Sequence, residues 1–381
     1  MLDKRRLVVD NFAEVHSMLL PWASETFYDF SQVIPSLGSI YIIGRQQLLD
    51  NRQKIVDMAD SDQYTIIFNN SAEGSWTLES QLIQLKLTDL VANQKILLIG
   101  GAPVNSQYPC LTHEHFLSHI LDYSENIQAQ SSTKNIYTQK EKPYKFLFLN
   151  GRARPHRKYL YERLKRTGAL DQSLYTMLDA KPTIVRSFSF RENGINVMAT
   201  PTELKRLPDE YEVERYRSPE FGPVVPDRTF LKQELFRQEW GEIYVEPRPY
   251  VDTYFSLVTE TICAESNLSF CTEKIAKPLL IGHPFIVAST PGFYQNLHNL
   301  GFQTFGHVID ESFDNINNAQ DRMDRIVSIV TELCQQDLAK LLEECYTVCK
   351  YNQQHLAELQ LKVRREFPAQ FFEFIKEYAN E

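Results

Sequence analysis

Residues 144–161 read Tyr144-Lys-Phe-Leu-Phe-Leu-Asn150-Gly-Arg-Ala-Arg154-Pro-His-Arg157-Lys-Tyr-Leu-Tyr161. The aromatic and aliphatic run from Tyr144 to Leu149 has the length and composition of a buried strand. It ends in Asn150-Gly151, turns through a basic loop, and enters a segment of helical period expected over Lys158–Leu170. Strand, turn and helix in that order form the opening of a parallel βαβ unit. Four further runs, Ser39–Ile43, Tyr64–Phe68, Lys95–Ile99 and Pro284–Ala288, read as strands of the same kind, and Thr77–Val91 between two of them reads as a helix. The expected fold class is therefore α/β with parallel sheets. From Asp321 onward the chain reads as helical, with Ile326, Ile329, Val330 and Leu333 and then Leu338, Leu341 and Leu342 at three- and four-residue spacings.

A chain of 381 residues is too long for one ordinary core and implies two or three domains. Residues 126–142 are polar, lack a hydrophobic period and end at Pro143, so they read as a linker between an N-terminal α/β domain (1–125) and a second α/β domain (143–365). Prolines at 201, 208, 219, 223 and 226 forbid continuous helix and mark an insertion near 201–227. A final helix, 366–381, is expected to pack back on the first domain.

The formal charge of −9 sets the chain as a whole against phosphate backbones and anionic lipid, so a nucleic-acid contact would have to be a local patch. No apolar run reaches the roughly 18–20 residues that span a bilayer, and the basic start of the chain is followed by no apolar leader core; the expected location is cytoplasmic. Six scattered cysteines without a CxxC pair argue against both a disulfide framework and a structural zinc site.

Two constellations carry the chemistry. From Arg152 to Arg166 there are seven basic residues against the single acid Glu162, a reversal of sign inside an acidic protein. A solvated basic helix face would carry the same charges, but the place of Asn150 to Arg154 directly after a strand favours an anion site suited to a diphosphate, made of backbone N–H groups at the helix N-terminus with Arg and Lys side chains beside them. The second constellation runs from Thr259-Glu260-Thr261 to Phe270-Cys271-Thr272-Glu273-Lys274. Thr272 is a helix N-cap, which puts Glu273 and Lys274 in the first turn, where a carboxylate can take ribose hydroxyls and a lysine phosphate oxygens. An ordinary capped helix would show the same three residues.

In order and spacing the two constellations resemble the donor-binding domain of GT-B glycosyltransferases, most closely the α1,3-fucosyltransferases. The resemblance covers about residues 144–314, and Gly282-His283-Pro284-Phe285-Ile286-Val287 looks like that family's next element. It implies two Rossmann-like domains facing across a cleft, and transfer of a sugar from a GDP- or UDP-linked nucleotide-sugar to a hydroxyl of a carbohydrate, glycoconjugate or protein acceptor. Inversion at the sugar, with no tightly bound cofactor and no metal, is part of the same implication. Arg157 matches the family's diphosphate-contacting arginine, Glu273 its ribose-binding glutamate, Lys274 its phosphate-binding lysine, and Glu260 the acid of its Glu-Asn pair. Thr261 stands where the family has asparagine, and Phe270 where it has tyrosine.

An inverting transfer needs a base on the acceptor side. The candidate is Glu73, expected in a polar loop after the Tyr64–Phe68 strand with Trp76 as a sugar-stacking face; an exposed loop acid is an equal reading. His113, His115 and His119 invite a metal reading, but HExxH is not formed and no third ligand is evident from the sequence, so a solvated or partly packed histidine cluster is the expectation. Two other functional classes stay open: a non-catalytic nucleotide- or carbohydrate-binding module on a transferase-like fold, and a nucleic-acid-modifying glycosyltransferase using the Arg152–Arg166 patch.

Overall fold

Side chains alternate faces along a strand, and in the first sheet that alternation splits the apolar residues into two cores. The strands are β1 (Leu7–Asp10), β2 (Glu25–Phe27), β3 (Ile40–Gly44), β4 (Thr65–Gly74), β5 (Ile96–Gly101) and β6 (Cys110–Thr112). They form one parallel sheet in the order β2-β1-β3-β4-β5-β6. Val8, Tyr41, Ile43, Ile66, Phe68, Ile96 and Leu98 face one way, against Leu48, Ile55 and Met58 of the helices Arg45–Asp50 and Arg52–Asp60 and Val91 of Thr88–Ala92. Leu7, Val9, Ile40, Ile42, Ile67, Leu97 and Ile99 face the other way, against Phe367, Phe371, Phe374 and Ile375. Those four lie at the far end of a 41-residue helix, Leu338–Tyr378. The computed structural model describes residues 6–74, 81–101, 108–152, 154–179, 190–192, 195–197, 204–205, 245, 247–263 and 270–378.

The chain divides into two compact units, Met1–Ser118 with Leu359–Glu381, and His119–Glu358. The second contains β7 (Phe146–Arg152), β8 (Ser173–Asp179), a two-stranded antiparallel pair of β9 (Phe190–Glu192) and β10 (Ile195–Val197), then β11 (Leu204–Lys205), β12 (Phe255–Thr259) and β13 (Phe285–Ala288). Its main sheet has the order β11-β8-β7-β12-β13, with β8, β7, β12 and β13 parallel and β11 antiparallel at the edge. The chain is α/β, each of its two main sheets built on parallel strands, and no helix among the described residues is long and apolar enough to cross a membrane.

Several boundaries differ from the sequence expectation. Residues 126–142, expected as a linker, lie within the second unit, and the helices Ser124–Ser131 and Thr133–Thr138 occupy most of them. Polar side chains help to fasten them, with Asn126 donating to the Ile120 carbonyl at 2.8 Å and accepting from Val245 N at 3.0 Å, and Tyr137 donating to the Gly282 carbonyl at 2.7 Å; Ile136 is fully buried beside them. The second unit ends at Glu358, before the expected 365, because the terminal helix changes core partners along its length. The Thr77–Val91 helix is broken, with Lys86 at φ 55° between helical residues 81–85 and Thr88–Ala92. The expected insertion at 201–227 lies outside the described residues except for 204–205.

At the β12–β13 connection, His283 is 1 % exposed and bridges two segments: Nε2–H donates to the Thr253 carbonyl at 2.9 Å, and Nδ1 accepts from the Ser256 hydroxyl at 2.9 Å. Both bonds use the neutral ring, and burial lowers its pKa from 6.5 to about 3. The unfolded chain therefore binds a proton below about pH 6.5 that the native state refuses, so stability held above that pH is lost as pH falls toward 3. Ring NMR is expected to show His283 neutral at pH 5; an imidazolium signal there would refute the assignment. For the first unit, Phe371→Ala removes a ring with no exposed surface and is expected to cost about 3–5 kcal/mol in denaturant unfolding. A loss below about 1 kcal/mol would place that ring outside the core.

Candidate functional site

In the second unit, β7 leads through the helix Pro155–Arg166 to β8 on one side, while β12 lies on its other side and leads through the helix Glu273–Ile281 to β13. The connections diverge between β7 and β12, and ligands of open α/β sheets bind outside the carboxyl ends of strands at such a switch point. The two strands are in ladder register only at Phe255 with Phe146 and Ser256 with Leu147. Nearer their carboxyl ends a side-chain bond joins them instead, the Thr259 hydroxyl donating to Asn150 Oδ1 at 2.6 Å.

Both helices start at this edge. Pro155 at the first turn leaves no wasted N–H, and Arg154 is the extended N-cap. Thr272 caps the other helix, its Oγ1 accepting from Lys274 N at 3.2 Å, and Gly282 ends it in the left-handed region at φ 69°. There a Cβ would stand 2.8 Å from the Gln353 side chain, so only glycine fits.

Glu260, with no exposed surface, joins these parts. One carboxylate oxygen accepts from Thr272 N at 3.2 Å and Ile275 N at 3.3 Å; the other accepts from the Thr272 hydroxyl at 2.5 Å and Thr261 N at 3.2 Å. Burial pushes its carboxyl up, opposed by the Lys274 cation and the Thr272 hydroxyl. Its backbone carbonyl accepts from His156 Nε2 at 3.1 Å and from Arg157 Nη2 at 3.3 Å, and Arg157 also donates to the Thr259 carbonyl at 3.0 Å. Burial, then the Arg157 and Arg154 cations, hold the His156 pKa far down, so its ring is neutral.

The structure thus brings Asn150, Arg154, Arg157, Glu260, Thr272, Glu273 and Lys274 to one sheet edge, but in two layers. Arg157, expected to contact a diphosphate, is 2 % exposed and turned onto backbone carbonyls, so it positions the β12 end. Arg154 donates to the Thr261 carbonyl at 3.0 Å and is half-buried. Glu273 and Lys274 are the partly open pair, in contact with each other. Burial raises the Glu273 carboxyl, but the Lys274 and Lys277 cations outweigh it and hold the group below its usual range. The sequence reading passed over Lys277 and His156; three-residue spacing from Lys274 on a helix was the available signal for the first.

Glu73 is corrected from loop to strand. β4 continues to Gly74, with a register shift against β5 between Asn70 and Gly74, so Glu73 lies in a bulge. Its side chain and Trp76 lie outside what the structure describes. The acidic cluster Asp310–Asp314 is structural, with Asp314 accepting from Tyr294 N at 3.1 Å and Glu311 from Phe305 N at 2.6 Å. A groove of about 500 Å³ lined by Lys142, Lys145, Gln172, Tyr254 and Asp337 lies at the opposite, amino-terminal edge of the strands and shares no residue with this site.

Comparison of the chain with known protein families, with curated proteins and with solved structures gives no match in any of the three.

Thr272 both caps its helix and contacts Glu260. Thr272→Ala is expected to cost about 1–2 kcal/mol in denaturant unfolding, while Thr272→Ser, which keeps the hydroxyl, costs distinctly less. Equal losses in the two variants would remove the hydroxyl from this account.

Proposed function

We propose that the chain is a glycosyltransferase of the GT-B type, with a fucosyltransferase-like donor site in the His119–Glu358 unit and the acceptor taken by the other unit. One observation carries the reading: two helix N-termini, with Arg154 beside one and Glu273 and Lys274 in the first turn of the other, start at the switch point between β7 and β12. Such a place suits a nucleoside diphosphate, whose phosphates take backbone N–H groups and cations and whose ribose takes a carboxylate.

In this reading Lys274 and Arg154, with the two helix dipoles, stabilise the negative charge that develops on the leaving diphosphate. Glu273, kept ionised by Lys274 and Lys277, accepts hydrogen bonds from ribose hydroxyls. Arg157 and Glu260 act beneath them by fixing the end of β12 and the start of the helix that bears the pair. Glu73, at the carboxyl end of β4 in the first unit, is the proposed base that takes the acceptor proton.

Thermal stabilisation by a panel of GDP-, UDP-, CMP- and dTDP-linked sugars, with and without chelator, tests the donor site. The expected result is a chelator-independent rise in melting temperature with GDP- or UDP-sugars alone, reduced at least severalfold in apparent affinity by Lys274→Ala. No shift with any of them would overturn the proposal. A shift accompanied by no sugar transfer to any hydroxyl acceptor, with Glu73→Gln indistinguishable from the parent, would leave a binding module in its place.

A further inference from the structure

Spacing alone supplied two histidines one helical turn apart and no third ligand; the folded chain supplies the third. His113 follows β6, and its backbone N–H bonds the Gly100 carbonyl at 2.9 Å, which fixes it at the end of the strand. The chain then turns into the short helix His115–His119, with His115 N donating to the His113 carbonyl at 3.0 Å. Residues four apart on a helix share a face, so His115 and His119 stand together, and the turn brings the His113 ring to 6.2 Å from that of His115, centroid to centroid. One ring nitrogen from each of the three histidines lies within 4.8 Å of the other two. Because the three residues fall within seven consecutive positions, local backbone alone sets their spacing.

Three features of this group suit a metal ion. The residues His113, His115 and His119 are 1 %, 7 % and 5 % exposed, so water does not compete freely for their nitrogens. Imidazole nitrogens are donors of intermediate softness, the set that takes zinc, copper or nickel in preference to calcium or magnesium. Third, His119 Nδ1 is 2.8 Å from Asp122 Oδ2. With Nδ1–H donating to that carboxylate, the lone pair is on Nε2, the ring is held in orientation, and a negative charge stands one hydrogen bond from the ion; this is the outer-shell arrangement of histidine metal ligands. Nitrogens about 2 Å from one zinc lie within roughly 4 Å of each other, so the group closes by movements of under an ångström per ring.

We propose that His113, His115 and His119 form a binding site for one zinc-like divalent transition-metal ion, with Asp122 orienting His119. Three protein nitrogens leave the fourth tetrahedral position to water or another ligand. The site uses none of the residues of the nucleotide site and does not depend on the glycosyltransferase reading.

The test uses the untagged full chain, stripped with chelator, titrated with zinc against a chromophoric competitor and separately with cobalt(II). The expected result is one saturable zinc per chain and a four-coordinate cobalt spectrum without thiolate charge-transfer bands. Asp122→Asn weakens zinc binding about 10- to 100-fold while keeping all three rings, and His119→Gln weakens it further. No saturable zinc binding by the parent chain, or a cobalt spectrum with thiolate bands, overturns the proposal whether or not the variants fold. Unchanged zinc affinity in a folded His119→Gln overturns it as well.

Discussion

A carboxylate with no surface exposed to water organises the second unit's sheet edge. Burying an unpaired charge costs several kcal/mol even after relaxation, and Glu260 avoids that by gathering four donors, three of them backbone N–H groups at the end of β12 and the start of the next helix. The same residue's carbonyl takes His156 and Arg157 from the other helix. Three chain segments are therefore fixed relative to one another through one residue. Every partly open polar group of the candidate site stands on one of those segments.

The first unit uses a similar device on a smaller scale. Asp10, at the end of β1, accepts from Phe12 N at 3.0 Å and Gly44 N at 3.0 Å, and burial raises its carboxyl to about 6. Its oxygen would be 2.9 Å from a Cβ at position 44, so glycine is what lets the end of β3 come this close. In both units the acid nearest the strand end is consumed by backbone, and solvent meets residues one step further out. That layering separates groups that shape a site from groups that touch a ligand, which residue identity alone cannot do.

Much of the architecture was legible from pattern. Continuous apolar runs found β3, β4, β5, β7 and β13 to within one or two residues at their starts, since strands buried on both faces carry little polar punctuation. Leu7–Asp10 escaped because four residues behind a basic cluster give too short a signal, and Ser173–Asp179 because its polar positions interrupt the run. The 126–142 segment is hard to read for a specific reason: its helices bury few apolar residues, Ala129 and Ile136 among them, and are held in good part by the hydrogen bonds of Asn126 and Tyr137. At the candidate site, the sequence motif names Glu260, Thr272, Glu273 and Lys274, which the fold brings to one sheet edge, but not which way Arg157 turns, because an arginine and the carbonyls it meets about a hundred residues away have no joint sequence signature. The third histidine was hidden similarly, since only the turn after β6 makes His113 a neighbour of His115.

The first unit's core is discontinuous, closed on one face by Phe367, Phe371, Phe374 and Ile375 from the far end of the chain. On the ribosome, its strands emerge before the second unit, yet one apolar face lacks its cover until residues 367–375 have been made. The second unit, contiguous in sequence, can complete itself before that moment. The first unit's sheet therefore waits for its cover through the synthesis of the whole second unit, and the two units mature in the order opposite to that of their translation.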